Sequence, residues 1–223
     1  MDVTSAVKHR RSIRAFKDTP ISREELTDLL TTAQRSPSGC NLQPWRVIAV
    51  SGQARADVVA LAHKRLAENP EGDPTDYPII LPDMWEPYKS RYMRIAAQMS
   101  EAANVERSDK EGRARLMARQ FDFFDAPVGL FYIVDERFEH GQWGHTGMYM
   151  QTVALLAEER GWGTCFQEFW GLLRTTLKAH FQLGEHEMVW CGMAMGHPDW
   201  SSPMNNYRTE RAPLDEVVDL RGF

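Results

Sequence analysis

The sequence is poor in cysteine, lacks long hydrophobic runs and begins with charged residues. Its 223 residues include only three cysteines, Cys40, Cys165 and Cys191, which are far apart and form no CxxC pair. A scattered, odd-numbered set predicts reduced thiols and argues against a zinc site. No apolar run approaches the roughly 20 residues of a membrane-spanning helix, and the first ten residues have no apolar signal core. These absences predict a soluble, cytoplasmic protein that binds no membrane.

An excess of basic charge and the common nucleotide and hydrolase motifs are also missing. With 26 Lys and Arg against 31 Asp and Glu, the net charge is −5, so the basic face of a nucleic-acid-binding protein is not predicted. The sequence contains no GxGxxG, no GxxxxGK(S/T), no HExxH and no GxSxG pattern. It therefore gives no sign of a Rossmann or P-loop nucleotide site, a zinc protease or an α/β-hydrolase.

The hydrophobic pattern alternates between helical and strand periods, which predicts one domain of the α/β or α+β class. Ser22 and Glu25 form a capping box, and the helix that they begin is expected to end near Pro37. The segment 146–157 is apolar almost all round and predicts a helix buried on every side, at the centre of the fold or of a dimer. Further helices are predicted at 53–68, 88–103 and 109–123, and strands at 45–50, 127–134, 163–166 and 188–195.

Three polar segments are candidates for ligand binding, and the first lies near the N-terminus. Arg10, Arg11, Ser12 and Arg14 place three guanidinium groups and a hydroxyl within five residues. This pattern suits a phosphate group, because arginine offers planar, paired donors. Read alone, such a cluster is more often a solvated basic surface.

The other two segments lie between a helix and a strand and close to the C-terminus. In the segment 36–45, small residues allow the backbone to approach a ligand closely, and Asn41 and Gln43 offer amide groups, although an ordinary turn explains the same residues. In the segment 205–214, Arg208 and Arg211 could reach the same anion as the N-terminal arginines. The alternative there is a surface tail.

In their order and spacing, these segments resemble the FMN-dependent nitroreductase family along nearly the whole chain. The matching elements are an RRSxR start, a PSxxNxQPW turn, a GxGTC-type strand at 161–165 and a closing GHP…RxxRxPLxEVV pattern at 196–218. The turn is the most specific of them. The segment 69–94 is most similar to the nitrobenzoate-reductase branch of the family.

The resemblance implies an α+β, nitroreductase-like fold, in which a central, mostly antiparallel sheet is flanked by helices. It also implies a single domain over 1–223, with a variable excursion at about 69–94, a C-terminal arm at about 199–223 and a homodimer interlocked as if domain-swapped. FMN would bind at the subunit interface and would be reduced by NADH or NADPH. No metal is expected.

By the same resemblance, the FMN-binding residues come from both chain ends, from the turn and from the strand near 165. One subunit would hold the phosphate and ribityl end with Arg10, Arg11, Ser12, Arg208 and Arg211, the pyrimidine edge with Arg14, and the ring with Phe166, Gln167 and Glu168, including a backbone N–H to N5. The other subunit would supply Pro37, Ser38, Gly39 and Asn41. Two positions depart from the family, since Gly39 replaces a serine of many relatives and Phe166 replaces a common proline.

The implied function is an oxidoreductase that passes hydride from NAD(P)H through FMN to a small aromatic acceptor, reducing a nitro group to nitroso and hydroxylamine. No side chain is assigned a catalytic role, because the flavin carries the electron chemistry. The alternatives are a deiodinase or an enone reductase on the same fold, or a flavin-storage protein without catalysis.

A proline-rich segment is the candidate substrate-binding region. Its five prolines between 70 and 87 exclude a helix interior or a central strand. Aromatic rings could stack here on an aromatic acceptor, and a cation could pair with its carboxylate; equally, the segment could be an arm that packs on the partner subunit. The candidate residues are Tyr77, Trp85, Tyr88, Lys89, Arg91 and Tyr92.

Overall fold

The computed structural model describes residues 1–75, 77–106 and 108–223. Within them, four strands form one antiparallel sheet in the order β1-β2-β4-β3, which confirms the predicted α+β class. The strands are β1 (Arg46–Ser51), β2 (Val128–Asp135), β3 (Gly163–Gln167) and β4 (Glu187–Gly196). Each end differs from its predicted position by one residue at most.

Helices cover both faces of this sheet. In the described ranges they are α1 (Val3–His9), α2 (Arg23–Ala33), α3 (Gly52–Glu68), α4 (Tyr88–Ala102), α5 (Lys110–Ala118), α6 (Glu139–Glu159) and α7 (Arg174–His180). The predicted capping box is confirmed, because Ser22 accepts from the Glu25 N–H and the Glu25 carboxylate accepts from the Ser22 N–H. None of these helices is both long enough and apolar enough to cross a bilayer.

Several helix boundaries differ from the prediction for identifiable reasons. The predicted helix at 109–123 is wrong at its end, because α5 stops at Ala118 and the chain continues as a 3₁₀ helix in which Phe123 and Phe124 have positive φ angles. Both rings are buried, so tertiary packing overrides the local helical preference. α6 begins at Glu139, several residues earlier than predicted, and α7 is too short to produce a readable helical period.

The core is divided by the sheet into two hydrophobic clusters. In β2, Leu130 and Tyr132 pack against α2 and α6, whereas Phe131 and Ile133 pack against the opposite cluster around Trp170. Successive strand residues point to opposite faces, and both faces are covered, which explains why the β2 sequence is apolar throughout.

α6 is only partly buried within one chain. Tyr149, Val153 and Ala157 are buried, but 48% of Met148 is exposed. The expectation of a helix buried on every side is therefore wrong for the single chain, which leaves Met148 of α6 half-exposed.

Asp73 anchors the proline-rich segment to the body of the protein. Its buried carboxylate accepts from the backbone N–H of Thr176 at 2.7 Å, from the Thr176 hydroxyl at 3.1 Å and from Arg65 Nε at 2.9 Å. Burial by itself raises the pKa of Asp73, but the Thr176 and Arg65 donors outweigh it and hold the pKa below the ordinary value of 3.8. We call this group the Asp73 clamp.

The N-terminal segment runs beside β3 and the start of the tail. Ile13 N–H donates to the Thr164 carbonyl at 2.9 Å, and Lys17 N–H donates to the His197 carbonyl at 2.8 Å. Because backbone bonds fix this segment on both sides, the arginines at 10–14 are held next to β3 and close to the C-terminal tail.

Candidate functional site

Asn205 joins the two chain ends. Its side chain is almost completely buried, accepts from the Arg14 N–H at 2.8 Å and donates to the Ala15 and Asp199 carbonyls at 2.7 and 2.8 Å. Its own carbonyl accepts from Arg11 Nη1 at 3.3 Å. Asn205 was not among the residues predicted to bind FMN. A buried asparagine with every polar atom in use is a structural hub, and here it fixes the arginine-rich segment against the tail.

Four guanidinium groups from the two chain ends lie close together. Burial lowers the pKa of Arg10, and the neighbouring Arg211 lowers it further; burial and Arg208 do the same to Arg11. In the described part of the chain, none of the four forms an ion pair with a carboxylate. We call this group the arginine cluster. The charge of Glu158 acts on Arg10 and Arg11 without an ion pair, so four cations face one nearby carboxylate and the cluster keeps an excess of positive charge.

The arginine cluster fits a phosphate group. The Nε of Arg11 is buried and has no hydrogen-bond partner among the described residues. Arg208 Nη1 donates to the Lys8 carbonyl and Arg211 Nη1 donates to the Thr209 hydroxyl, so one nitrogen of each guanidinium group is held by the chain. A dianion would remove the mutual repulsion and would accept from the orphaned donor. Ser12, half-buried and bridged to Thr164, lies within the same segment.

Arg14 points from this cluster into a cavity of about 1130 Å³. Its Nη1 donates to the Tyr207 hydroxyl at 2.9 Å, and burial raises the pKa of Tyr207. The cavity is larger than the roughly 300–1,000 Å³ of common small-molecule pockets, so it has room for more than one ring system. Its floor comes from the region of β3, through Cys165, Phe166, Glu168 and Phe169.

The three residues after Cys165 are used differently. Phe166 lines the cavity, with the Arg10 guanidinium 6.0 Å from its ring centre. Gln167 is fully buried and its side chain is engaged in the core, since its Nε2 donates to the Gln120 carbonyl at 2.6 Å and its Oε1 accepts from Trp170 Nε1 at 3.4 Å. Glu168 opens into the cavity, and desolvation raises the pKa of its carboxyl group.

The turn at 36–45 lies outside this cavity. Cys40, Asn41 and Gln43 have φ angles of 50°, 54° and 49°, a conformation that non-glycine residues rarely adopt. Pro37 and Asn41 are exposed, and Ser38 accepts from the Gln43 N–H at 2.9 Å. The structure therefore holds the predicted residues of the turn in a fixed, outward-facing loop and does not bring them to the arginine cluster of the same chain.

Gly39 is explained by its neighbour on α6. A Cβ at this position would lie 2.9 Å from His145 Cε1, and the Gly39 N–H faces His145 Nδ1 at 3.4 Å. The His145 ring therefore fills the space that a side chain at position 39 would need. This contact explains why a glycine stands here, and it could not be predicted from the sequence.

The predicted substrate residues separate into two groups. Tyr92 lines the cavity. Trp85 and Tyr88 are exposed and pack edge-to-face at 5.4 Å, Lys89 is exposed, and Arg91 pairs with Glu216 at 2.7 Å. None of these four is among the residues that line the cavity. Their part in substrate binding stays a prediction.

A wall formed by α4, α5 and the segment between them was not predicted from the sequence. It contributes mostly apolar side chains together with Arg113, whose Nη1 is buried and has no partner among the described residues. Nothing local distinguishes Arg113 from the other arginines of α4 and α5, so only tertiary packing reveals it. The wall residues used below are Met99, Val105, Arg113, Leu116 and Met117.

Comparisons of the chain with a family profile, with known sequences and with solved structures agree on one family. The profile of the Nitroreductase family matches residues 7–197. The chain is 36% identical to a nitrobenzene nitroreductase of Ectopseudomonas oleovorans, over 97% of this chain and 95% of that protein. It is 31% identical to a 4-nitrobenzoate reductase of Pseudomonas putida, over 100% of this chain and 96% of that protein. The crystal structure of an FMN and NADPH-dependent nitroreductase from sphigopyxis sp. strain HMH superposes with a TM-score of 0.96, at 34% identity and with 100% of both chains covered.

Proposed function

The chain belongs to the nitroreductase family, and on this premise we propose that it is an FMN-dependent NAD(P)H nitroreductase. In this proposal, hydride passes from a reduced nicotinamide through FMN to a nitroaromatic acceptor. The names of the relatives support it, since they are nitrobenzene and 4-nitrobenzoate reductases and a nitroreductase that depends on FMN and NADPH.

The observation that carries the proposal is the arginine cluster. Arg10 and Arg11 approach Arg211 and Arg208, no described carboxylate forms an ion pair with any of the four, and Arg11 Nε is buried without an acceptor among the described residues. Holding four like charges together is unfavourable unless an anion joins them. A phosphate monoester at the end of a flavin tail satisfies this requirement and would extend its ring towards Arg14 and the cavity.

The residues of this chain would bind and orient the cofactor. Bound FMN would supply the electron-accepting and electron-donating chemistry. Arg14 would place a cation beside the pyrimidine edge, where negative charge develops on reduction. The Gln167 side chain is hydrogen-bonded within the core. The donor to the ring edge would therefore be a backbone N–H of the segment 166–168.

A second copy of the chain would complete the site. The strained loop that contains Pro37, Ser38, Gly39 and Asn41 faces outward, as a loop that serves a partner's flavin should. Met148 on α6 is half-exposed, and the C-terminal tail exposes several large apolar side chains. Exposed apolar surface of this extent indicates an interaction surface. We infer a homodimer, and we expect it to be cytoplasmic. The tail residues are Leu214, Val217, Val218, Leu220 and Phe223.

The experiment compares FMN with riboflavin, which has the same ring and no phosphate. Flavin-free protein is titrated with each while the quenching of flavin fluorescence is followed. If the arginine cluster binds the phosphate, FMN should bind about 100-fold more tightly or better, because two or more charge-assisted hydrogen bonds are lost with riboflavin. Equal affinities would remove the central argument.

Turnover then separates the remaining functions. The FMN-loaded protein is mixed without oxygen with NADH or NADPH, and nitrobenzene or 4-nitrobenzoate is added. Oxidation of the nicotinamide with formation of the hydroxylamine supports the proposal. A bound flavin that neither nicotinamide reduces would indicate a storage protein, and reduction of an iodotyrosine or an enone without nitroreduction would indicate one of the same-fold enzymes.

A further inference from the structure

We propose that Arg113 binds the carboxylate of a nitroaromatic acid in the cavity, so that this chain prefers anionic acceptors to neutral ones. The inference rests on the proposed function and adds the substrate class to it. Neither the family match nor the names of the relatives decide this point, because relatives named for nitrobenzene and for 4-nitrobenzoate are similar to the chain at 36% and 31% identity.

Arg113 differs from neighbouring arginines of α4, of α5 and of the 3₁₀ helix that follows α5. In the described part of the chain, Arg94 pairs with Glu210, Arg115 pairs with Asp109 and Glu111, and Arg119 pairs with Asp125. Among the described residues, Arg113 forms no such pair. Its Nη1 is shielded from water and has no hydrogen-bond acceptor there. Arg113 therefore lines the cavity with a hydrogen-bond donor that has no acceptor among the described residues.

An unpaired donor of this kind carries a cost that a ligand can remove. A buried donor without a partner destabilises a protein, and it does so more strongly when it is charged. The unpartnered Nη1 of Arg113 belongs to a planar, positively charged guanidinium group. A planar carboxylate is the group that matches its fork in charge and in geometry.

The surroundings of Arg113 fit an aromatic body. Met99, Val105, Leu116 and Met117 line the same cavity and offer apolar surface to a ring. A charge-assisted hydrogen bond is stronger next to such side chains than in water. The ligand class is therefore a ring with an acidic substituent, and not a small inorganic anion.

Other groups of the cavity do not replace Arg113 in this role. The phosphate of the flavin already has the arginine cluster, and Arg14 is engaged by Tyr207. The acidic side chains that line the cavity, Glu101 and Glu168, form no ion pair with Arg113. Of the cations first considered for a substrate carboxylate, Arg91 is paired with Glu216 and Lys89 does not line the cavity.

The test measures binding of benzoate, which has the carboxylate and ring of the acceptor but no nitro group. Benzoate is titrated into the FMN-loaded protein while the flavin absorbance is followed, in the wild type and in Arg113→Gln, Arg113→Lys and Arg115→Gln. We expect Arg113→Gln to weaken benzoate binding about 10- to 100-fold and Arg113→Lys to weaken it less. Arg115→Gln, on the same helix but paired and exposed, should bind as the wild type does.

Turnover gives the second readout. For Arg113→Gln, kcat/KM for 4-nitrobenzoate should fall by the same factor, while kcat/KM for nitrobenzene should stay within about twofold of the wild type. An equal fall for both acceptors, or an unchanged benzoate affinity, would overturn the proposal. Since benzoate binding needs no reduction, a wild type that binds benzoate through Arg113 but reduces no nitro compound would refute only the proposed function.

Discussion

The Asp73 clamp and the arginine cluster are both groups of charged side chains, but they differ in whether the chain itself pairs that charge. Asp73 accepts from Thr176 twice and from Arg65 once, all within the chain. The arginine cluster gathers four cations, and although the charge of Glu158 acts on Arg10 and Arg11, no described carboxylate forms an ion pair with any of the four. A charge that is fully paired ties parts of the chain together, whereas a charge that the chain leaves unpaired indicates a ligand.

The first test of this contrast is Asp73→Asn, for which we expect the largest effect. The substitution removes a buried charge and leaves Arg65 without its partner, so the free energy of unfolding should fall by about 3 kcal/mol. Urea unfolding of the flavin-free protein measures it. The control is Asp83→Asn, an exposed aspartate in the same proline-rich segment, which should change little. FMN affinity should be unaffected, and a loss of FMN binding without a loss of stability would reverse the roles assigned to the two regions.

The same residue predicts a pH dependence. Because the folded-state pKa of Asp73 lies below the ordinary 3.8, its contribution to stability is complete above that pH and is lost as the pH falls through the folded value. The stability difference between wild type and Asp73→Asn should therefore narrow below about pH 4. Unfolding curves between neutral pH and acid check this, and a constant difference would mean that the ionised carboxylate is not what stabilises the segment.

Local patterns in the sequence were sufficient for most of the fold. Ser22 and Glu25 predict the start of α2, and the apolar run of β2 predicts its strand to within one residue. The prediction failed where contacts between residues distant in sequence determine the backbone conformation. At Phe123 and Phe124, the positive φ angles follow from packing of the rings in the core.

The site was predictable only in part, and for a similar reason. The arginines of both chain ends could be proposed through the family resemblance, but Asn205, which brings them together, acts across the full length of the chain. Gly39 was recognised as unusual, yet His145 explains it only in three dimensions. Arg113 has no signature in the sequence, because its isolation depends on which carboxylates the fold places out of reach.

The second test is Arg11→Gln, for which the effects should be the reverse of those at Asp73. It removes one of the repelling cations but also the Arg11 hydrogen bond to the Asn205 carbonyl, so the stability of the flavin-free protein should stay within about 1 kcal/mol of the wild type. FMN affinity should fall about 10- to 100-fold, because a charged donor to the phosphate is lost. Fluorescence titration and urea unfolding measure the two quantities, and Arg23→Gln on α2 is the control. A clear loss of stability in the flavin-free protein would show that Arg11 serves the fold as Asp73 does.

The last and smallest effect is expected at Arg46 and Glu187, a pair that is satisfied but exposed. Their atoms are 2.5 Å apart, closer than Arg65 and Asp73 at 2.9 Å, yet 52% and 27% of the two side chains are accessible to water. Water and salt screen such a pair, so a double-mutant cycle with Arg46→Gln and Glu187→Gln should give a coupling below about 1 kcal/mol, decreasing further with added salt. A coupling energy as large as the loss of unfolding free energy in Asp73→Asn would mean that pairing alone determines the stabilisation. Burial would then no longer explain why an unpaired charge indicates a ligand site.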